Sequence, residues 1–221
     1  MQSTNTLLAI TVLATAAASQ ARAYESPGIL PMENVIDRPQ ITTSARALDV
    51  IRFWREAGPA LWFAKDEAFD RRFRERFLLD HESAARGEYA HWQSTPEGAL
   101  ALILLLDQFP RNAFRGTARM YDTDAMARKI ATTAFAAGYD SAFEKTMQTF
   151  FLLPFAHSED LADQERAVAL ARRLGGKDFE QAQHHRDIVR RFGRFPHRNS
   201  ILGRVSTAEE QKYLDNGGYR G

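Results

Sequence analysis

Arginine and histidine are concentrated in one stretch, Gln183–Arg204 (QHHRDIVRRFGRFPHRNSILGR). There six arginines, three histidines and Asn199 surround two phenylalanines, with Asp187 the single acid. Guanidinium forks bind carboxylates and phosphates at two points, an asparagine amide both donates and accepts, and histidine exchanges protons near neutral pH. Residues of these types can hold an anion and move a proton. Two earlier segments carry related chemistry, Leu106–Asn112 (LDQFPRN) and Pro154–Glu165 (PFAHSEDLADQE). The expectation is that all three meet in space and form one polar, anion-friendly pocket.

Each candidate has a plainer structural reading beside the functional one. Asp107 falls at the end of an apolar helix, where the negative end of the dipole and burial both act against a carboxylate. Such a residue needs a partner, and Arg111, Arg194 and Arg198 are the candidates; the plainer reading is an ion pair fixing two helices. Gln108 is ambiguous in the same way. Two loops, Phe109–Asn112 and Phe195–Asn199, each place an aromatic and a proline before Arg-Asn, so Arg111, Asn112, Arg198 and Asn199 could clamp an anion. Alternatively each arginine bonds the free carbonyls of a helix end. His157 precedes a helix start and has no structural duty there, whereas Ser158 suits a cap and Glu159 suits a first turn. Gln164 points inward on the stripe Leu161, Glu165, Val168. His185 shares the apolar face of Ala182, Val189 and Phe192, with His184 turned about 100° away; an inward histidine is commonly a satisfied core residue. Arg194 and His197 complete the set.

Other chemistries lack a signal. There is no cysteine, which excludes disulfides, thiolate nucleophiles and Cys-ligated zinc. His157-x-Glu159 and His184-His185 offer metal-ligand types, but no fixed-spacing metal motif occurs and nearby arginines repel a cation. No nucleophile elbow, GxGxxG or P-loop pattern is present, so no metal or cofactor is expected. A net charge of +1 gives no overall affinity for nucleic acid, and Phe192 and Phe195 read as buried rather than free to stack on bases.

The elements that must position these residues are helices. Thr43 or Ser44 can cap a helix carrying Leu48, Ile51, Phe53 and Trp54, stopped at Gly58-Pro59. Asp66 caps the next, with Phe69, Phe73 and Phe77 on one face. Ser94-Thr95-Pro96-Glu97 opens GALALILLLDQF, apolar on nearly every side and so central to the domain, with Pro110 its expected end. Asp122 or Thr123 starts a further helix that Gly138 closes, and Thr146–Leu153 is expected to halt at Pro154. Ser158 opens a helix to Leu174, Asp178 opens one to Phe192, and Ser206 with Glu209 forms a capping box for the last. No strand pattern occurs. The expectation is an all-α domain over residues 44–221, about eight helices in stacked antiparallel pairs.

The N-terminus reads differently. Leu7–Ala18 is an apolar run followed by Ala21-Arg22-Ala23, the pattern of a secretory signal peptide, though MQSTNT lacks a basic residue. Cleavage before Tyr24 would make the protein periplasmic or secreted; the alternative is a cytoplasmic protein with a mis-set start and Met32 as initiator. Residues 24–43, with Pro27, Pro31 and Pro39, read as a linker. No later segment is apolar enough to span a membrane.

Taken together, STPEGALALILLLDQFPRN (Ser94–Asn112), WFAKDEAFD (Trp62–Asp70), LPFAHSEDLADQE and HRDIVRRFGRFPHRNSILGR resemble the motifs of the bacterial family called domain of unknown function 924. The likeness covers about residues 46–214. It implies an all-helical, tetratricopeptide-like superhelical fold and carries no reaction, cofactor or catalytic residue. Family members usually start just before the helix at Ala45–Arg55, so the Met1–Thr43 extension is a departure.

The functional expectation is a helical protein whose Arg/His/Asp pocket binds an anionic small molecule or a peptide carboxylate. The alternatives are a metal-independent hydrolase or proton-transfer enzyme using that pocket, and a protein–protein scaffold.

Overall fold

The apolar run GALALILLLDQF becomes the axis of the domain. The computed structural model describes residues 42–221, and among them it contains ten α-helical segments and no strand. The expected signal peptide and most of the linker lie outside the described residues. In order the segments are α1 (Ala45–Ala57), α2 (Pro59–Trp62), α3 (Glu67–Ala85), α4 (Pro96–Ile103) and α5 (Phe109–Ala113). Then follow α6 (Asp124–Ala136), α7 (Lys145–Ala156), α8 (Leu161–Leu174), α9 (Gly176–Phe192) and α10 (Ala208–Asp215). Two short pieces, α2 beyond the Gly58 break and α5 beyond a π-helical turn, raise the count above the eight legible in sequence. No helix among the described residues is long and apolar enough to cross a membrane.

Every residue of Ala99–Phe109 is buried, and α4 packs against α1, α6 and α7. The Phe69, Phe73, Phe77 stripe of α3 is likewise sealed and stacks with Phe53 of α1. Farther along, short connections force neighbours to pack side by side: α6 on α7, α7 on α8, α8 on α9.

The prolines correct two expected boundaries. Pro110 does not end its helix. Leu104–Gln108 adopts a π-helical turn, in which the Phe109 N–H reaches back to the Leu104 carbonyl, and the chain stays helical to Ala113. A proline inside a helix supplies no N–H and crowds the carbonyl four residues back, here that of Leu106. That carbonyl instead accepts from the Thr123 hydroxyl at 2.5 Å. Its neighbours are served in the same way: His81 Nδ1 donates to the Leu105 oxygen (2.9 Å) and Arg111 Nη1 to that of Asp107 (2.7 Å). Side chains replace the broken ladder. Pro154 also sits inside its helix, and α7 continues to Ala156. The buried Gln164 amide closes that end by donating to the carbonyls of Ala156 (2.8 Å) and Ser158 (2.6 Å).

Three caps shift by one or two residues. Thr95, not Ser94, accepts from Gly98 N at 3.1 Å. Asp160 caps α8, while the Ser158 hydroxyl donates to Asp163. Thr207 with Glu210, not Ser206 with Glu209, forms the capping box of α10.

Candidate functional site

The π turn sets Asp107 fully out of solvent, where a carboxylate survives only if donors surround it. They do. His157 Nδ1 lies 2.8 Å from Oδ1, Gln108 Nε2 donates to Oδ2 at 2.6 Å, and Arg111 Nη1 is 3.2 Å from Oδ1. Burial alone would raise this carboxyl; the charge of Arg111 and the His157 contact outweigh it and hold it at about 2. Asp107 is therefore an acceptor only, so the shared proton resides on His157 Nδ1 and leaves Nε2 with a free lone pair. Burial and the Arg111 charge lower the His157 pKa, which keeps that imidazole neutral. Arg111 is anchored a second time, gripping Asp124 with Nη1 at 2.7 Å and Nη2 at 2.9 Å. Burial disfavours its charge, but Asp107 and Asp124 together raise its pKa.

In front of this cluster lies a cavity of about 510 Å³. Its walls are two helix faces with the same spacing: Thr149, Leu152, Leu153 and Ala156 of α7, and Asp178, Gln181, Ala182 and His185 of α9. Gln108, Arg111 and Asn112 enter from the end of the central helix, Trp62 from the last position of α2 and Phe63 from the turn after it. Arg115, Met120 and Tyr121 come from the loop before α6, and His197, Arg198 and Tyr219 close the remaining side. Of the charged side chains on these walls, Arg111, Arg115, Lys177 and Arg198 are cationic and only Asp178 is a carboxylate.

Arg198 is the unusual member. Of the six arginines in Gln183–Arg204, five are in ion pairs: Arg186 and Arg190 with Glu165 and Asp187, Arg191 with Glu209, Arg194 with Glu210, and Arg204 with Glu159. Arg198 is 7% exposed, and its Nε has no hydrogen-bond partner. Its guanidinium packs 4.6 Å from the Tyr121 ring centroid and 4.5 Å from that of Phe195. The acids nearest to it in effect, Asp124 and Glu159, are held by Arg111 and Arg204. Burial and the charge of Arg111 lower its pKa, so the cation is uncompensated among the described residues.

Two histidines beside it are also unsatisfied. Both ring nitrogens of His185 (5% exposed) and Nδ1 of His197 are buried without a partner. Burial and the neighbouring histidines push the His185 pKa down to about 3; burial and Arg198 push that of His197 down to about 4. Among the described residues no group of three His, Asp or Glu side chains converges as metal ligands do.

Of the twelve residues singled out in sequence, seven reach the cavity wall: Gln108, Arg111, Asn112, His157, His185, His197 and Arg198. Asp107 stands directly behind them. Four do not reach it, each with its donors or its carboxylate engaged elsewhere. Glu159 is gripped by Arg204 and accepts from the Phe195 N–H at 2.8 Å. Gln164 caps α7. Arg194 holds Glu210, so it is not the partner of Asp107, and Asn199 donates to Ser206 and Glu210. The expected pair of Arg-Asn clamps is thus reduced to Arg198, since Asn112 donates to Asp70 at 2.7 Å and Arg111 is held by Asp107 and Asp124. Tyr121, Tyr219, Trp62 and Phe63 also line the wall, with no signal in the sequence that marks them. The α7 face was findable, because its spacing of three and four leads directly to His157.

A family model described as "Bacterial protein of unknown function (DUF924)" matches residues 50–218. The chain is a DUF924 protein. A solved structure, that of the protein of unknown function ATU0120 from Agrobacterium tumefaciens, is 53% identical, with a TM-score of 0.78. It covers 80% of this chain and the whole of its own. No curated protein matches this DUF924 chain.

Proposed function

We propose that this DUF924 protein binds a small organic anion in the cavity between α7 and α9, with the Arg198 guanidinium as its main contact. The observation that carries the reading is the buried, unpaired charge of Arg198. An unpaired ion in a protein interior costs several kcal/mol after relaxation, roughly, and a bound carboxylate or phosphate removes that cost. The unsatisfied nitrogens of His185 and His197 support the same reading. A thermal-shift screen over carboxylated and phosphorylated metabolites tests it. At 100 times its dissociation constant a bound anion adds about 2.7 kcal/mol, a rise of roughly 5–10 °C for a domain of this size. Failure of every anion to raise the melting temperature contradicts the reading.

A second reading rests on His157. Its Nδ1–H donates to Asp107, which leaves Nε2 with the lone pair of an oriented general base on a residue of the cavity wall. In that reading His157 takes a proton from water or from the bound anion, and Arg198 and Arg111 stabilise the charge that develops. Turnover of the bound compound, abolished by His157→Asn with binding retained, separates an enzyme from a binding protein.

A further inference from the structure

The cavity changes character from one end to the other, and the gradient bears on which anions fit; this step rests on the anion-binding reading above. Helix α7 serves as the ruler. Its wall residues Thr149, Leu152, Leu153 and Ala156 lead to His157, beside the Arg111 and Arg198 end. Trp62 and Phe63 lie against Phe150, with ring centroids 5.0 and 6.1 Å away. They therefore flank the opposite end of the same helix face, seven residues or about 10 Å from His157 at the rise of an α-helix.

That outer end carries an exposed aromatic ring that the fold does not require. Phe63 is 64% exposed although it lines the cavity, while adjacent Trp62 is 7% exposed and sealed by Trp54 and Phe150. An aromatic ring left in water on a cavity wall gains from any apolar group laid over it. Because α7 and α9 are separated by one helix and short connections, they run in the same direction, which brings Lys177 and Asp178 to this end as well. Their opposite charges, and Arg115 paired with Asp70, leave no net charge there. Among the described wall residues, the buried charge without an ion-pair partner is Arg198, at the inner end.

We propose that the ligand is an amphipathic acid with one anionic head, a carboxylate or a phosphate, on Arg198. Its apolar arm, about 10 Å long, runs along Leu152 and Leu153 to Phe63. The inner end supplies the fork, the charge and the histidine donors; the outer end supplies the exposed Phe63 ring, with Lys177, Asp178 and the Asp70-paired Arg115 around it.

Calorimetric titration of the full chain with acetate, butyrate, octanoate, octyl phosphate, octanedioate and octanol tests this. Affinity is expected to rise by up to about fourfold per added methylene from butyrate to octanoate. Octyl phosphate against octanoate shows which head is preferred. Phe63→Ser, at an exposed position where folding is not at risk, should weaken octanoate about tenfold and leave acetate unchanged. Equal affinity for acetate and octanoate, tighter binding of octanedioate, or an unaffected Phe63→Ser variant overturns the amphipathic class while leaving anion binding intact. Octanol binding as tightly as octanoate, or no acid binding at all, overturns both.

Discussion

Asp107 and Arg198 are two buried ions with opposite solutions. Asp107 is enclosed by His157, Gln108 and Arg111, so its charge is answered within the protein. Replacing it with alanine leaves a buried Arg111 with one carboxylate fewer and an imidazole N–H with no acceptor. The expected loss is about 3–5 kcal/mol, read by urea unfolding. A loss under 1 kcal/mol would mean that Asp124 alone satisfies Arg111. Residue types made this cluster legible in part: an acid at the end of an apolar helix demanded a cation, and Arg111 is four residues on. Its second partner, Asp124, was not legible, since the loop between them carries no pattern that fixes the return path. The fate of Glu159, Gln164, Arg194 and Asn199 was hidden for a related reason. Sequence shows which polar groups exist, but not which nearby group reaches them first.

At the scale of elements, the π turn is what aims Asp107 and Gln108, and it survives because side chains serve three consecutive carbonyls. Thr123→Val keeps the shape and removes the donor to Leu106. The expected cost is about 1–3 kcal/mol, for one lost hydrogen bond and a buried carbonyl left bare. The same change should loosen amide protection across Leu104–Gln108, which hydrogen exchange measures; unchanged protection would show that the turn does not depend on Thr123. Helix periodicity and most stop signals were readable, including the Phe69–Phe77 stripe and the breaks at Gly58, Gly138 and Gly193. The two proline stops do not hold because a proline predicts the loss of a backbone bond and cannot reveal a compensating side chain. At Pro110, Thr123 and His81 are such compensations, distant in sequence from the carbonyls they serve.

The whole molecule should be acid-sensitive, and the sign follows from the histidines. His185 titrates at about 3 and His197 at about 4 in the folded state, against an ordinary value near 6.5. Above pH 6.5 neither state binds these protons. As pH falls through 6.5 the unfolded chain takes them up and the folded chain does not, so stability declines toward pH 4 by up to about 1.4 kcal/mol per pH unit for each histidine. Below that, Asp107, Glu159 and Glu210, whose pKa values are lowered by their arginine and histidine partners, extend the loss in the same direction. Chemical unfolding between pH 7 and pH 4 measures the slope, and His185→Phe should lower it by up to about 1.4 kcal/mol per pH unit. A flat profile over that range would mean that the two imidazoles gain protons freely in the folded protein.

The most direct test of an anion site built around Arg198 is the melting temperature of Arg198→Met, measured with and without octanoate. Methionine fills similar space without a charge, so the unliganded variant should melt at or above the parent temperature, because an unpaired buried ion has been removed, and octanoate should no longer stabilise it. A variant that melts well below the parent, yet gains from octanoate as the parent does, would show that Arg198 supports the fold and that the anion binds elsewhere.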